Sequence, residues 1–271
     1  MTYTKISPRM FEEFRCIAEE CPANCCRAGW SIIWSFAEYE HLNSVKEVSR
    51  FFCGDDYRSI NLDENGECPF LTAQGLCGIQ KELGEEYLSY TCRKYPRISR
   101  LSGGVMFCSC KPTCYAVLDR LFSDRDCMQL RDVLTDEQAE TILSENDGRV
   151  ALFSKVRGIL WGEPLSSSLD RLAHLYNVEQ QDIPRTFARR YGFELITGEG
   201  NVEEFAKLNV VKALFMHWMI NGFQPQLSEW DNIAEFLFRA RAVILAAEGA
   251  SAVAEDRELL LCSVGDIIAV L

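Results

Sequence analysis

Apolar and polar positions along this chain change rhythm part-way. In residues 8–20, PRMFEEFRCIAEE, the apolar Met10, Phe11, Phe14, Ile17 and Ala18 recur at helical spacing, which predicts an amphipathic helix with Cys16 on or near its buried face. Pro22 suits a first helical position, with Cys21 as the capping residue before it. Cys25 and Cys26 then follow within a turn, where the positive dipole end favours thiolates. Residues 30–34, WSIIW, read as a short strand, and Ser35 followed by Glu38 is a capping box that opens a helix to about residue 51. Asp63, Glu64, Asn65 and Gly66 form a turn before Cys68, Pro69, Phe70 and Leu71. A second turn near Gly75 leads to Cys77 and a short helix from Gly78. Gly103 and Gly104 lead into a strand over 105–108.

From Pro112 onward the spacing is helical throughout. Tyr115, Val117, Leu118, Leu121 and Phe122 make one apolar stripe, and Thr135 with Gln138 caps another helix. Residues 150–161, 168–176, 203–220 and 230–247 supply four more, and 259–271 closes the set. There is no repeat and no low-complexity tract. The fold class is therefore mainly α: a cysteine-rich metal-binding module with little strand over 1–125, then an all-helical region over 126–271, either separate or packed with the first as one unit.

Composition sharpens this division. The chain has 271 residues, enough to bury a real core without staples, yet it carries 13 cysteines. All but Cys127 and Cys262 fall within the first 114 residues, a density that marks a disulfide scaffold or a metal site. Residues 1–20 show no basic stretch followed by an apolar leader, and LFMHWMI at 214–220 and the tail are far shorter than a membrane span. A soluble, cytoplasmic protein with reduced thiols is expected, its cysteines ligands rather than crosslinks; a disulfide-stabilised secreted domain is the alternative. Up to residue 114, 13 basic residues face 15 acidic ones; beyond it, 15 face 25, so most of the net charge of −12 belongs to the helical region. Such a surface repels phosphate backbones and argues against nucleic acid as a partner.

Spacing removes several familiar sites. No Cys-x-x-Cys occurs, so a thioredoxin-type motif and the common zinc knuckles are absent. His41, His174 and His217 are scattered and read as structural. A Cys-x3-Cys-x2-Cys loop begins at Cys21 and Cys25, and again at Cys110 and Cys114, but Ala28 and Val117 stand where the third cysteine belongs. FELITGEGN at 193–201 mimics a nucleotide-binding glycine loop, yet Gly198 and Gly200 lack a third glycine and the surrounding strand–helix alternation, so a helix-ending turn explains them better.

What remains is an ordered set: Cys16, Cys21, Cys25, Cys26, Cys68, Cys77, Cys92 and Cys110. CPANCCRAGW at 21–30, CPFLTAQGLCGIQ at 68–80, LSYTCRKYPR at 88–97 and SCKPTCYAVL at 109–118 carry these cysteines with their flanks. In order, spacing and flanks this set resembles the flagellin lysine-N-methylase family and, more distantly, a broader cysteine-rich group of zinc- or iron-chelating proteins. The resemblance covers about residues 1–122; Ala28 is a single insertion before the Gly-Trp pair, and the carboxy-terminal region is shorter than in the family. It implies methyl transfer from S-adenosylmethionine to lysines of flagellin or another protein substrate, in a protein carrying a [4Fe-4S] cluster. Thiolates suit iron and zinc alike, so zinc stays open, as does the choice between one four-thiolate site and two; one site is preferred because adjacent Cys25 and Cys26 point in different directions.

Around Cys92, the basic Arg93, Lys94, Arg97 and Arg100 suit either the charge of a tetrathiolate cluster or a carboxylate of the methyl donor, with a basic surface turn as the plain alternative. Arg93, Arg97 and Tyr95 are the candidate cofactor-binding residues, Tyr90 or Tyr95 offering a ring to a sulfonium or ammonium. Trp30, Trp34, Phe70 and Tyr95 suit a dry aromatic channel, with hydrophobic core as the simpler fate. No residue type or spacing singles out a catalytic residue.

Overall fold

The computed structural model describes residues 3–30, 32–55, 57–131, 148–179 and 181–271. The cap expected at Thr135 and Gln138 lies outside the described residues. The chain opens with β1 (Thr4–Ile6) and α1 (Arg9–Glu13), and the helix expected to reach residue 20 stops at Phe14, whose ψ of 135° is extended. Arg97 supplies the reason. Its Nε donates to the Phe11 carbonyl at 3.0 Å and its Nη2 to that of Phe14 at 2.9 Å, using acceptors that a longer helix would have offered to its own amides.

Two compact units follow from the path of the chain, one running from Arg15 to Pro96 and the other joining the residues before Arg15 to Arg97–Leu271. The smaller unit contains β2 (Ile33–Ser35), α2 (Phe36–Asn43), β3 (Phe52–Cys53), β4 (Tyr57–Ile60), α3 (Gly78–Glu82) and α4 (Tyr90–Lys94). Its antiparallel sheet has the order β2-β4-β3, with Trp34 opposite Arg58 and Phe52 opposite Ile60. The expected capping box is present: Glu38 donates its amide to Ser35 Oγ at 3.3 Å, and its Oε2 accepts the Ser35 amide at 2.9 Å. α2 nevertheless ends at Asn43 rather than continuing to residue 51. The Asn43 side chain accepts the Val48 amide at 3.0 Å and turns the chain toward β3. The core of this unit is small, built from Trp34, Tyr39, Leu42, Val48, Phe52, Ile60, Phe70, Ile79 and Leu88.

In the larger unit, β5 (Arg97–Ser102) and β6 (Val105–Cys110) form a hairpin through Gly103 and Gly104, both at positive φ (54° and 72°), as a two-residue turn that matches strand twist requires. β1 adds to β6 in parallel, giving the order β1-β6-β5. Helices α5 (Tyr115–Ser123), α6 (Gly148–Leu160), α7 (Leu165–Leu175), α8 (Ile183–Tyr191), α9 (Glu204–His217), α10 (Glu229–Val253) and α11 (Arg257–Val270) follow. The large core draws on all of these helices and on the inner face of the sheet. Of the described residues 54% are helix and 11% strand, so the class is mainly α, cysteine-rich first and helical afterwards. Among the described residues, no helix is long and apolar enough to cross a membrane.

Two local readings are corrected here. α8 has signals that sequence reading passed over: Asp182 caps it by accepting the Arg185 amide at 3.1 Å, Pro184 sits in its first turn, and Gly192 closes it in the left-handed region at φ 80°. The helix-ending turn is therefore at Gly192, not at Gly198 and Gly200. Those two glycines lie against α10, where a Cβ on Gly200 would stand 2.1 Å from the Glu248 carbonyl oxygen and one on Gly198 3.0 Å from the Ala252 Cβ. They permit a close approach of backbone to helix.

Candidate metal centre

The CC pair sits on a single 3-10 turn, Cys25–Arg27, and its cap is Asn24 rather than Cys21. Asn24 Oδ1 accepts the Cys26 amide at 2.9 Å, while its Nδ2 donates to the Gly75 carbonyl at 2.6 Å. One short side chain thus orders the CC turn and ties it to the next cysteine loop. The Cys26 carbonyl completes the tie by accepting the Cys68 amide at 2.8 Å. With only one 3-10 turn, no helix dipole acts on these thiols; their neighbours do.

The loop from Cys68 to Cys77 is a tight hairpin for identifiable reasons. Gly75, at φ 75°, donates to the Thr72 carbonyl at 2.9 Å, and Thr72 Oγ1 accepts the Leu76 amide at 3.2 Å. Gly78 donates to the Phe70 carbonyl at 2.7 Å, so close that a Cβ there would reach 3.0 Å from that oxygen. Cys77 thereby lands at the cap of α3, and Phe70 drops into the core. Cys92 is carried by α4, whose cap Ser89 is fully buried and accepts the Cys92 amide at 3.1 Å.

These segments place five thiols in one electrostatic neighbourhood. The Cys26 sulfur is hydrogen-bonded to those of Cys25 and Cys68; it keeps the proton, its own pKa raised, and lowers both neighbours to about 7. Burial pushes Cys77 up and Cys92 up to about 11, and both feel the charges of Cys68 and Cys25. Cys21 is half-buried after the 3-10 turn Ala18–Glu20, and exposed Cys16 accepts the Ala18 amide at 3.4 Å. Cys110 belongs to the larger unit, on β6 opposite Arg97, where burial pushes it up to about 12 with Cys114 and Cys108 nearby. Buried Cys127, on the turn after α5, and half-buried Cys262, on α11, belong to the larger unit. Among the described residues no three His, Cys, Asp or Glu side chains already stand at the spacing of a single bound ion.

The basic residues separate. Arg93 lines a shallow groove with Ala37, Glu38, His41, Glu86 and Leu88, and its charge helps hold the Glu38 carboxyl low. Arg97 is committed to the carbonyls of Phe11 and Phe14, and Arg100 donates to that of Ile220. Tyr95 meets Trp30 edge to face at 5.1 Å between ring centres. Trp34 and Phe70 are core residues. Asn24 and Ser89, which organise the thiols without being ligands, were not singled out by sequence reading, although an Asn one residue before a CC turn is a recognisable cap signal.

The lysine-N-methylase of Salmonella typhimurium (strain LT2) is 25% identical over 169 residues, which cover 58% of this chain and 40% of that protein; the lysine-N-methylase of Salmonella choleraesuis matches to the same extent. The flagellar biosynthetic protein FliU of Salmonella muenchen is 27% identical over 139 residues, 47% of this chain and 82% of FliU. The chain is a distant homologue of the lysine-N-methylase and FliU family. It spans about 40% of the length of the lysine-N-methylases it matches. No family model and no solved structure matches it. Of the four segments that carry the resemblance to lysine-N-methylase, the first two lie wholly in the smaller unit, the third reaches its end at Pro96, and SCKPTCYAVL belongs to the larger one.

Proposed function

We propose that this chain is a protein-lysine N-methyltransferase, transferring a methyl group from S-adenosylmethionine to lysines of flagellin or another protein substrate, and that it carries a cysteine-bound [4Fe-4S] cluster. The observation that carries the reading is the convergence of Cys25, Cys26, Cys68, Cys77 and Cys92, which lie on the segments that carry the resemblance to the family. The donor set is thiol-only, and two of its members ionise near neutrality, which suits iron in a cluster and, as the alternative, zinc. Cys25, Cys68, Cys77 and Cys92 are the ligands we favour, with Cys26 a fifth thiol among them and Cys16, Cys21 and Cys110 the remaining candidates. When bound, the cluster would supply redox-active or Lewis-acidic iron held by these thiolates.

The chain's own residues have separable tasks. Arg93 and Lys94, on the same helix as Cys92, offset the negative charge of bound thiolates. The Arg93 guanidinium, at the edge of its groove, suits the carboxylate of the methyl donor better than Arg97, which is engaged elsewhere. The partly exposed pair Trp30 and Tyr95 offers aromatic faces to a sulfonium or a lysine ammonium.

Transfer of labelled methyl from S-adenosylmethionine to purified flagellin tests the activity, and iron and sulfide analysis on protein kept from oxygen tests the centre, with about four of each expected for one cluster. Zinc alone at one equivalent overturns the cluster. A second reading, a non-catalytic metal-chelating accessory protein, rests on the thiol cluster of the smaller unit alone. It predicts metal without donor binding or transfer.

A further inference from the structure

We infer that Cys26 and Cys68 are a modification site: with no metal bound, an oxidant of the peroxide class joins them in a reversible disulfide that closes the centre to metal. The inference rests on the geometry of the thiol cluster, and it bears on the metal reading only in that a closed pair cannot ligate.

Three thiols stand in a row, Cys26 between Cys25 and Cys68, and the backbone decides which pair can bond. Cys25 and Cys26 are adjacent across a trans peptide, which holds their Cα atoms about 3.8 Å apart, below the window of about 4.4–6.8 Å that an unstrained disulfide occupies. Cys26 and Cys68 belong to different loops joined by the 2.8 Å bond from the Cys68 amide to the Cys26 carbonyl. That bond brings the two backbones alongside each other, so their Cα atoms are not held below the window as those of neighbouring residues are. Their sulfurs already share a hydrogen bond, so the bridge would form between groups that are in contact. Both residues are only half-buried, so a small oxidant reaches them.

The chemistry balances with hydrogen peroxide as oxidant. One thiol attacks a peroxide oxygen, the O–O bond breaks, and a sulfenic acid and one water result. The second sulfur then displaces the sulfenic oxygen, which leaves with the second thiol's proton as another water. Two thiols lose two electrons in total, and the peroxide takes both. A thiol reductant reverses the bridge by exchange.

The test uses full-length protein, stripped of metal under reductant, desalted, and treated with one equivalent of hydrogen peroxide. Free thiols are then blocked and tryptic peptides mapped. The expected product links peptide 16–27 to peptide 59–81 through Cys26 and Cys68, located by fragmentation. It persists in Cys25→Ser and Cys77→Ser and is lost in Cys26→Ser and Cys68→Ser. A dominant Cys25–Cys26 bridge, or one involving Cys77 or Cys92 in unaltered protein, overturns the inference without needing any variant to fold. Oxidised protein should take up Zn²⁺ at least tenfold less than reduced protein, and uptake returns on reduction. Equal uptake by the two forms overturns the closure. Failure of reduced protein to bind Zn²⁺ or iron counts against the metal reading alone.

Discussion

Replacing Asn24 by alanine is the most direct test of how the thiols are assembled, because Asn24 is not itself a ligand. The substitution deletes two hydrogen bonds, Cys26 amide to Oδ1 at 2.9 Å and Nδ2 to the Gly75 carbonyl at 2.6 Å. Each contributes a net ~1 kcal/mol, because water competes for the freed groups at this half-exposed site. Together they hold the CC turn against the Cys68–Cys77 loop by about 2 kcal/mol, so the assembled arrangement should become roughly 30-fold rarer. Metal affinity should fall by that factor, within the range of 10–100-fold that loss of an outer partner typically costs. Asn24→Ser keeps an oxygen able to cap the turn but cannot reach Gly75, so it should lose about half the free energy, roughly fivefold in affinity. Competition for Zn²⁺ against a chromophoric chelator measures all three proteins, with far-ultraviolet circular dichroism confirming that each remains folded. An alanine variant within twofold of the parent refutes the reasoning, and so does a serine variant as weak as alanine.

Other outcomes follow from the same geometry. In metal-free protein, alkylation of Cys25 and Cys68 should rise through about pH 7 while Cys92, pushed up to about 11, stays slow; equal rates at all three by peptide mapping refute the shared proton. The folded pKa values of Cys25 and Cys68 are lowered, so their contribution to stability is complete above the unfolded value of about 8.5 and disappears as pH falls through about 7. Those of Cys26, Cys77 and Cys92 are raised, so theirs is lost above about 8.5; urea midpoints of the metal-free chain should therefore peak between these limits. Cys77→Ala or Cys92→Ala should abolish metal uptake, whereas Cys262→Ala should leave it unchanged, and Cys127→Ala should leave it unchanged at a cost of about 1 kcal/mol in stability from the small cavity; metal content and thermal melts distinguish them. Gly200→Ala places a Cβ 2.1 Å from the Glu248 carbonyl and should cost about 2 kcal/mol or more, read as a lowered melting temperature with the metal content intact.

Features legible in the sequence are those whose cause lies within a few residues. The Ser35 and Glu38 box opens α2 as read, the Gly103–Gly104 turn makes its hairpin, and the apolar stripes after Pro112 become helices, because each signal and its effect share one turn of chain. Where the cause is distant, the reading fails. α1 stops at Phe14 because of Arg97, 83 positions away, and nothing between residues 8 and 20 announces that. The cap at Asn24 was missed because proline two residues earlier gave a competing local signal, and the turn it caps is shorter than any helix. Gly198 and Gly200 looked like punctuation, but the helix face they approach lies some fifty positions on. The order of the cysteines was readable; which of them meet was not, since Cys110 returns with β6 to a different unit from Cys92.

That separation bears on why the smaller unit holds so many thiols. Among the described residues between Arg15 and Pro96 the chain forms only short helices and a sheet whose β3 strand has two residues, and nine side chains make up the buried apolar core. A core of that size offsets little of the conformational entropy of the loops around it. The loops are instead tied polar group to polar group, by Asn24, by the Cys68 amide and by Ser89, and each tie ends on a backbone atom of a cysteine or of the loop that carries one. The same contacts that position the sulfurs are thus the ones that close the loops. A metal bound at the sulfurs would therefore add its affinity to the fold, and its loss would remove cross-links that the small core does not replace.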